Sequence, residues 1–404
     1  MLLFSTVFPN AQQPHHGVFV RERMRAYPED VEVRVVAPVP WFPLISGLRP
    51  GFRPAVTERG TEDGVVHPRS LSFPGILKCL DGLLMFLSTL PTLRRLRREL
   101  PFDVIDAHFA YPEGLAAALA GWFLKVPVTV TLRGTLPLIA PFRLRRPQLR
   151  FALRRAARVI AVSESLKQDA VALGIPAEKI RVIGNGVDPE RFHPQDRTEA
   201  RRALGLPKYG PLLVSVGTLS RRKGFHLVME AMAKLKKRWP TLRFALVGGD
   251  GAEGAMSAEL KALAARLGIA GRVIFAGPRK SAELAPWYGA ADLFVLPTEH
   301  EGSPNVVLEA LACGTPVVAT PVGSIPELID AESGLLAERG ADSIAAGIDK
   351  ALNRSWDRDR VHARVSARPW SVVGAEQAEE LWAASAVVPK ESMTLEMIPE
   401  EAVP

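Results

Sequence analysis

With 404 residues, 47% of them apolar, the chain is long enough for two domains that each bury a sizeable core. Two cysteines, Cys79 and Cys313, exclude a disulfide framework and fit a reducing compartment, while the formal net charge of +8 favours anionic partners. The N-terminus MLLFSTVFPN lacks a basic leading region and reads as a first strand rather than a signal peptide; the longest other apolar run, Cys79 to Leu90, is broken by Asp81 and is too short to span a bilayer. The expectation is a soluble, cytoplasmic protein.

Short β-branched runs alternate with helical patterns along the whole chain, which predicts an α/β class: two Rossmann-like doubly wound domains facing across a cleft. Strands are expected near Leu2–Thr6, Val31–Ala37, Val104–Ala107, Val126–Leu132, Val159–Ser163 and Ile180–Ile183, and then near Leu212–Val216, Arg243–Val247, Val273–Ala276, Leu293–Leu296 and Pro316–Ala319. Between the two sets, the segment from Asn185 carries two prolines and no sustained apolar period until a helix near Thr198, so it reads as the linker. The boundaries that follow are 1–192 for the first domain and 193–370 for the second, with a tail over 388–404 that reads as disordered. Ligands of such sheets bind at the carboxyl ends of the strands.

Charge is uneven. Residues 1–195 hold 26 Lys and Arg against 17 Asp and Glu, and the remainder holds 25 against 26. The densest run, Arg143 to Arg158, has seven arginines and no acid. A solvated helix face, an anionic membrane surface, an acidic acceptor and nucleic acid are the alternatives; without an RNA-binding aromatic signature, zinc-finger spacing or recognition-helix pattern, nucleic acid ranks last.

The stretch EHEGSPNVVLEALACGTPVVAT places Glu301 and Glu309 eight residues apart. Ser303 suits an N-cap, Pro304 a first helical position, and Gly314 with Pro316 a stop, so a helix is expected over residues 304–313. Helical side chains lean towards the N-terminus, which lets both carboxylates converge above the first turn, where free N–H groups and the helix dipole favour an anion. A ligand with hydroxyls for the glutamates and phosphates for the N–H groups fits, and a nucleotide sugar has both. On spacing alone, a loop glutamate and a polar helix edge explain the same residues.

VGTLSRRKGFH, residues 216–226, follows a strand and opens a helix, with Arg221, Arg222 and Lys223 offering compact positive charge to a phosphate. Gly249, Gly251 and Gly254 match GxGxxG, but no ribose-binding acid stands at the right distance and the helix is expected to start after the glycines, so a nicotinamide or flavin site is not predicted and a turn lining the cleft is. Asp357 and Asp359 lie in a charged helical stretch and read as a solvated face. No His/Cys cluster has ligand spacing, so neither a metal nor another cofactor is expected. His108 ends a strand, with Gly114 starting the next helix, and that position opens towards the cleft.

Glu301 to Glu309 as E-x7-E, EALACGTPVVAT after it, RKG beyond a core strand, VIGNGVD before the linker and PWSVVGAEQAEELW near the end together resemble the family 4 retaining glycosyltransferases of the GT-B fold, also called glycosyltransferase group 1. The resemblance covers roughly residues 1 to 387. It implies that Glu309 holds the nucleotide ribose, that Glu301 lies beside the transferred sugar, and that Lys223 binds the diphosphate with Arg222 or Arg221 beside it. It further implies that Gly302, Ser303 and the N–H groups of Asn305 and Val306 meet sugar hydroxyls or phosphate, that Gly17 approaches the diphosphate, and that His108 lies near acceptor and donor sugar. Glu301, His108 and Lys223 are thus the expected catalytic set, and helix 371–387 is expected to cross back onto the first domain.

Two departures stand out: Thr218 replaces an arginine that many members carry, and Gly323-Ser324 replaces a common Gly-Gly. The implied partners are a nucleotide-sugar donor and a saccharide or lipid-linked acceptor, with an anionic membrane surface alongside and no nucleic acid. A nucleotide-sugar epimerase of similar fold and a non-catalytic nucleotide-sugar binder are the competing readings.

Overall fold

The apolar runs fold into parallel strands in the computed structural model, which describes residues 1–10, 13, 16–43, 64–251 and 254–386; the tail over 388–404 lies outside the described residues. In the first half, strands β1 (Leu2–Phe4), β2 (Arg34–Val36), β3 (Val39–Trp41), β4 (Val65–Val66), β5 (Arg69–Leu71), β6 (Ile105–His108), β7 (Val128–Leu132), β8 (Arg158–Ala161) and β9 (Ile180–Val182) follow in chain order. Seven of them form one sheet in the order β4-β2-β1-β6-β7-β8-β9, and β3 pairs with β5 separately. The second half contributes β10 (Leu212–Val216), β11 (Arg243–Val247), β12 (Val273–Gly277), β13 (Leu293–Leu296), β14 (Val317–Ala319) and β15 (Gly334–Leu336), ordered β12-β11-β10-β13-β14-β15. Every pairing in both sheets is parallel.

Two domains result, each with its own core. In the first, Ile105, Val130 and Leu132 pack with Leu149 and Leu153; in the second, Val214, Phe244 and Phe294 pack with Val228 and Leu311. Strands buried on both faces need not alternate, and β10 (LLVSV) reads as a nearly continuous apolar run, whereas β7 (VTVTL) alternates in sequence yet is buried throughout. The threonines of β7 are buried with partners, Thr129 Oγ1 donating to Asp106 Oδ1 at 2.7 Å. The short edge strands β3, β4, β5 and β15 have no counterpart among the expected elements, because two or three residues carry no period and their positions are set by the neighbouring strand.

The chain crosses between domains twice. Val187 N–H donates to the Arg368 carbonyl and Trp370 N–H to the Val187 carbonyl, each at 3.2 Å, so the two crossings run side by side. The helix Trp370–Ser385 then packs on the first domain, where Gln377 Nε2 donates to Asp106 Oδ2 at 2.9 Å.

Candidate functional site

In each sheet the strand order reverses once, between β1 and β6 and between β10 and β13. Adjacent loops diverge at such a point and leave a crevice at the carboxyl ends of the strands. The two crevices face one another across a cavity of about 580 Å³. The loops after β1, β6, β7 and β8 supply Gly17, Phe109, Arg133 and Val162; those after β10 and β13 supply Thr218, Arg222, Lys223 and residues 300–306.

Backbone shape brings these groups close. Gly17 has φ 76°, in the left-handed region, and a Cβ there would stand 2.2 Å from the Val7 carbonyl oxygen, so only glycine lets this loop turn beside the cavity. At the domain junction a Cβ on Gly134 would lie 2.7 Å from the Gly302 nitrogen, so the two main chains touch with no side chain between them.

Lys223 ends a single turn over residues 221–223, from which its Nζ reaches Glu301 Oε1 at 2.6 Å. Arg222 Nη1 donates to the same oxygen at 3.1 Å and to the His300 carbonyl at 2.9 Å, while Thr298 Oγ1 adds a third donor at 3.0 Å. Burial pushes the Glu301 carboxyl up, but Lys223 and Arg222 outweigh it and hold the group below its ordinary value. Glu301 is therefore ionised and shared by two cations. Beside it the helix Asn305–Ala312 begins, and its first N–H groups have no intrahelical acceptor. Asn305 and Val306 line the cavity. Ser324 N–H donates to the Gly302 carbonyl at 3.0 Å, so the Gly323-Ser324 loop buttresses this turn.

Gly17, Arg222, Lys223, Glu301, Gly302, Ser303, Asn305 and Val306 thus converge on one cavity. Two expected site residues do not line it. His108 is fully buried: Nε2 meets Asp106 Oδ2 at 3.2 Å and Nδ1 meets Arg133 Nη2 at 3.1 Å, so it lies beneath the wall instead of opening into the cleft. Burial pushes its pKa down to about 4, against the opposing pull of Asp106, which leaves a neutral ring accepting from Arg133. Glu309, further along the helix, turns towards Tyr288, whose hydroxyl donates to Oε2 at 2.6 Å; burial raises its carboxyl to about 7 against this bond and the field of Arg191. The two glutamates therefore do not converge above the first turn, because the tyrosine claims the second one. The helix itself starts one residue later than expected, with Pro304 rather than Ser303 at the cap.

Of the neighbouring cations, Arg221 is exposed and pairs with Glu259, so Arg222 is the one that serves the cavity. The glycine-rich turn is followed by a helix that starts only at Ser257, with the Asp250 carboxylate accepting from the Ser257 N–H. Asp357 is an N-cap, accepting from the N–H groups of Asp359 and Arg360. Arg133 and Asn185 were not among the expected site residues. Their signals, an arginine directly after a core strand in TLRGT and an asparagine at the start of the crossing, are visible only once the strand ends are placed.

A cationic cavity between the switch points of two parallel sheets is the plan of the GT-B class. The family model described as Glycosyl transferases group 1 matches residues 196–368, and that for Glycosyltransferase Family 4 matches residues 16–191. The chain is 30% identical to the putative teichuronic acid biosynthesis glycosyltransferase TuaC of Bacillus subtilis, over 87% of this chain and 88% of that one. It is 40% identical to the D-inositol 3-phosphate glycosyltransferase of Frankia alni over 47% of this chain, a match that spans about half (49%) of that relative's length. Among solved structures it resembles sucrose-phosphate synthase from Thermosynechococcus elongatus (TM-score 0.75, 21% identity, 96% of this chain and 99% of that one) and Anabaena HepE in complex with UDP-glucose (TM-score 0.71, 22% identity, 95% and 99%). The chain belongs to the group 1, family 4 glycosyltransferases and has the GT-B fold.

Proposed function

We propose that the protein moves a hexosyl group from a nucleotide-diphosphate sugar to a saccharide or lipid-linked acceptor, with retention of configuration, in the building of a bacterial cell-surface or exported polysaccharide. The observation that carries this reading is the pairing of Lys223 and Arg222 with Glu301 in front of a helix N-terminus. Cations and N–H groups suit a diphosphate, and a carboxylate suits sugar hydroxyls. A relative named for teichuronic acid biosynthesis and a structural neighbour holding UDP-glucose support the same pathway type and donor class.

In the proposed reaction the anomeric C–O bond breaks with its electron pair leaving on the diphosphate. The acceptor oxygen bonds to the anomeric carbon from the same face, and its proton passes to the departing phosphate oxygen. Lys223, Arg222 and the N–H groups of Asn305 and Val306 stabilise the charge that develops. Glu301 orients the sugar and is not assigned as a nucleophile, Glu309 keeps the ribose role, and the donor serves without a further cofactor.

The acceptor is read as arriving at the inner face of a plasma membrane. Among the described residues eleven of the fifteen exposed large apolar side chains lie between Ile76 and Phe151, including Leu138 at the rim of the cavity. Arg143, Arg145, Arg146, Arg150, Arg154 and Arg155 make no ion pair among the described residues, whereas Arg158 pairs with Glu380. No helix among the described residues is long and apolar enough to cross a membrane. A thermal-shift screen of nucleotide sugars, followed by product analysis with a lipid-linked saccharide, tests the reading. Epimerised donor without acceptor, or binding without turnover, refutes it.

A further inference from the structure

Arg133 stands directly after β7 on the wall that faces Glu301, with only 5% of its surface exposed. Its direct partners are uncharged: Nη2 donates to Nδ1 of the neutral His108 at 3.1 Å, Nη1 donates to Asn185 Oδ1 at 3.0 Å, and its Cζ lies 5.0 Å from the centroid of the Phe19 ring. Nε is buried and has no hydrogen-bond partner. Asp106 is separated from it by His108 and is occupied by Tyr27, Thr129 and Gln377 as well. Burial and the charge of Arg23 push the Arg133 guanidinium well below the ordinary arginine value, and the field of Asp106 opposes them only in part, no carboxylate being in direct contact with the guanidinium. Retaining a buried cation without a carboxylate is costly unless a ligand supplies the counter-charge.

Position shows which ligand group that is. Asn185, which accepts from Arg133, donates to the Ser303 carbonyl at 3.0 Å and to Asn305 Oδ1 at 2.7 Å, so the guanidinium is tied to the start of the helix whose N–H groups face the cavity. On the far side Lys223 and Arg222 already share Glu301, and Thr218 brings no charge. We infer that Arg133 is a catalytic residue that meets the leaving diphosphate from the N-terminal domain, and that His108 and Asp106 are positioning residues that fix its fork. The assignment rests on the donor class proposed above. Because Arg133 comes from the opposite domain to Lys223, its contact completes the site only when both domains surround the donor, and its loss falls on turnover more than on nucleotide affinity.

The test uses the intact protein with the donor that the screen identifies. Arg133→Gln is expected to lower kcat by about 10²-fold while the donor KM and the calorimetric affinity for the corresponding nucleoside diphosphate change less than about threefold. Arg133→Lys, which keeps the charge but not the fork, is the second variant; a melting temperature equal to the parent's with kcat down at least about tenfold supports the assignment. His108→Gln, which keeps an acceptor for Arg133, is expected to retain several-fold more kcat than His108→Leu at equal thermal stability. Unchanged kcat with a raised acceptor KM in either Arg133 variant overturns the inference, since the guanidinium would then read the acceptor. A parent that turns over no nucleotide sugar refutes the proposed function itself, a result distinguishable from any defect confined to the variants.

Discussion

Replacing Glu113 by Gln should make the protein more heat-stable above neutral pH and leave it little changed in acid. Glu113 is 2% exposed in the turn Ala110–Gly114; Oε1 accepts from the N–H and hydroxyl of Thr6, and Oε2 is buried with no partner. Burial raises its pKa from the ordinary 4.5 to about 7, with the Thr6 bond opposing. Below pH 4.5 the group is protonated in both folded and unfolded chains, so its contribution is fully present. As pH rises towards 7 the unfolded chain releases the proton first, and stability falls until the folded carboxyl also ionises. The shift of 7 − 4.5 = 2.5 units corresponds to at most about 3 kcal/mol lost above pH 7. The amide keeps the shape and the Thr6 acceptor but cannot ionise. With about 2–4 °C per kcal/mol for a domain of this size, calorimetry at one scan rate from pH 5 to 9 should show the variant melting within about 2 °C of the parent at pH 5 and several degrees higher at pH 8.5. A difference independent of pH, or a variant less stable at pH 8.5, would refute the argument.

Lys223→Ala should lower turnover by on the order of 10²-fold, the effect of one charged contact that tightens on a leaving group; equal rates in variant and parent remove Lys223 from the chemistry. Glu309→Gln should weaken binding of a free nucleoside diphosphate, whereas Glu301→Gln should spare or tighten it, because Lys223 and Arg222 are released, and should lower transfer instead. Equal losses in calorimetry would undo that division of roles. Replacing Arg145, Arg146, Arg150 and Arg154 together by Gln should reduce sedimentation with anionic liposomes and leave nucleotide affinity alone, each arginine near such a surface being worth about 1 kcal/mol and the effect fading with salt. A parent that ignores anionic liposomes at low salt would leave those residues as a solvated face.

The fold was legible because parallel strands covered on both faces are apolar along most of their length, and such runs as Leu212–Val216 and Arg243–Val247 are found at the same residues in sequence and structure. Lys223, Glu301 and the turn between Gly302 and Val306 were legible for a related reason: loops at strand ends and helix starts carry characteristic residues. What escaped was side-chain direction. His108 and Arg133 share one parity, since His108 is in register with Thr131, but the histidine is still within its strand and is held beneath the wall by Asp106, whereas Arg133 stands past the end of its strand and lines the cavity. Glu309 escaped because its partner, Tyr288, lies on another helix, and no local spacing announces a contact across twenty-one residues.

The charges that meet at the cavity bear on why a carboxylate sits among its cations. Among the described residues Arg133, Arg222 and Lys223 line it against the single carboxylate of Glu301. On the proposed reaction the donor brings roughly two negative charges on its diphosphate, and the departing nucleoside diphosphate carries roughly three. A fixed cationic surplus therefore attracts the leaving group more than the intact donor, and that difference is what accelerates transfer. Without Glu301 the surplus would also bind the donor and the product more tightly, adding ground-state affinity that does nothing for turnover. Held at 2.6 Å by Lys223, Glu301 tempers that attraction in the resting site while keeping the cations extended towards the place where charge grows. The same ion pair explains why this glutamate stays ionised when Glu309, with a tyrosine for a partner, is pushed towards neutrality.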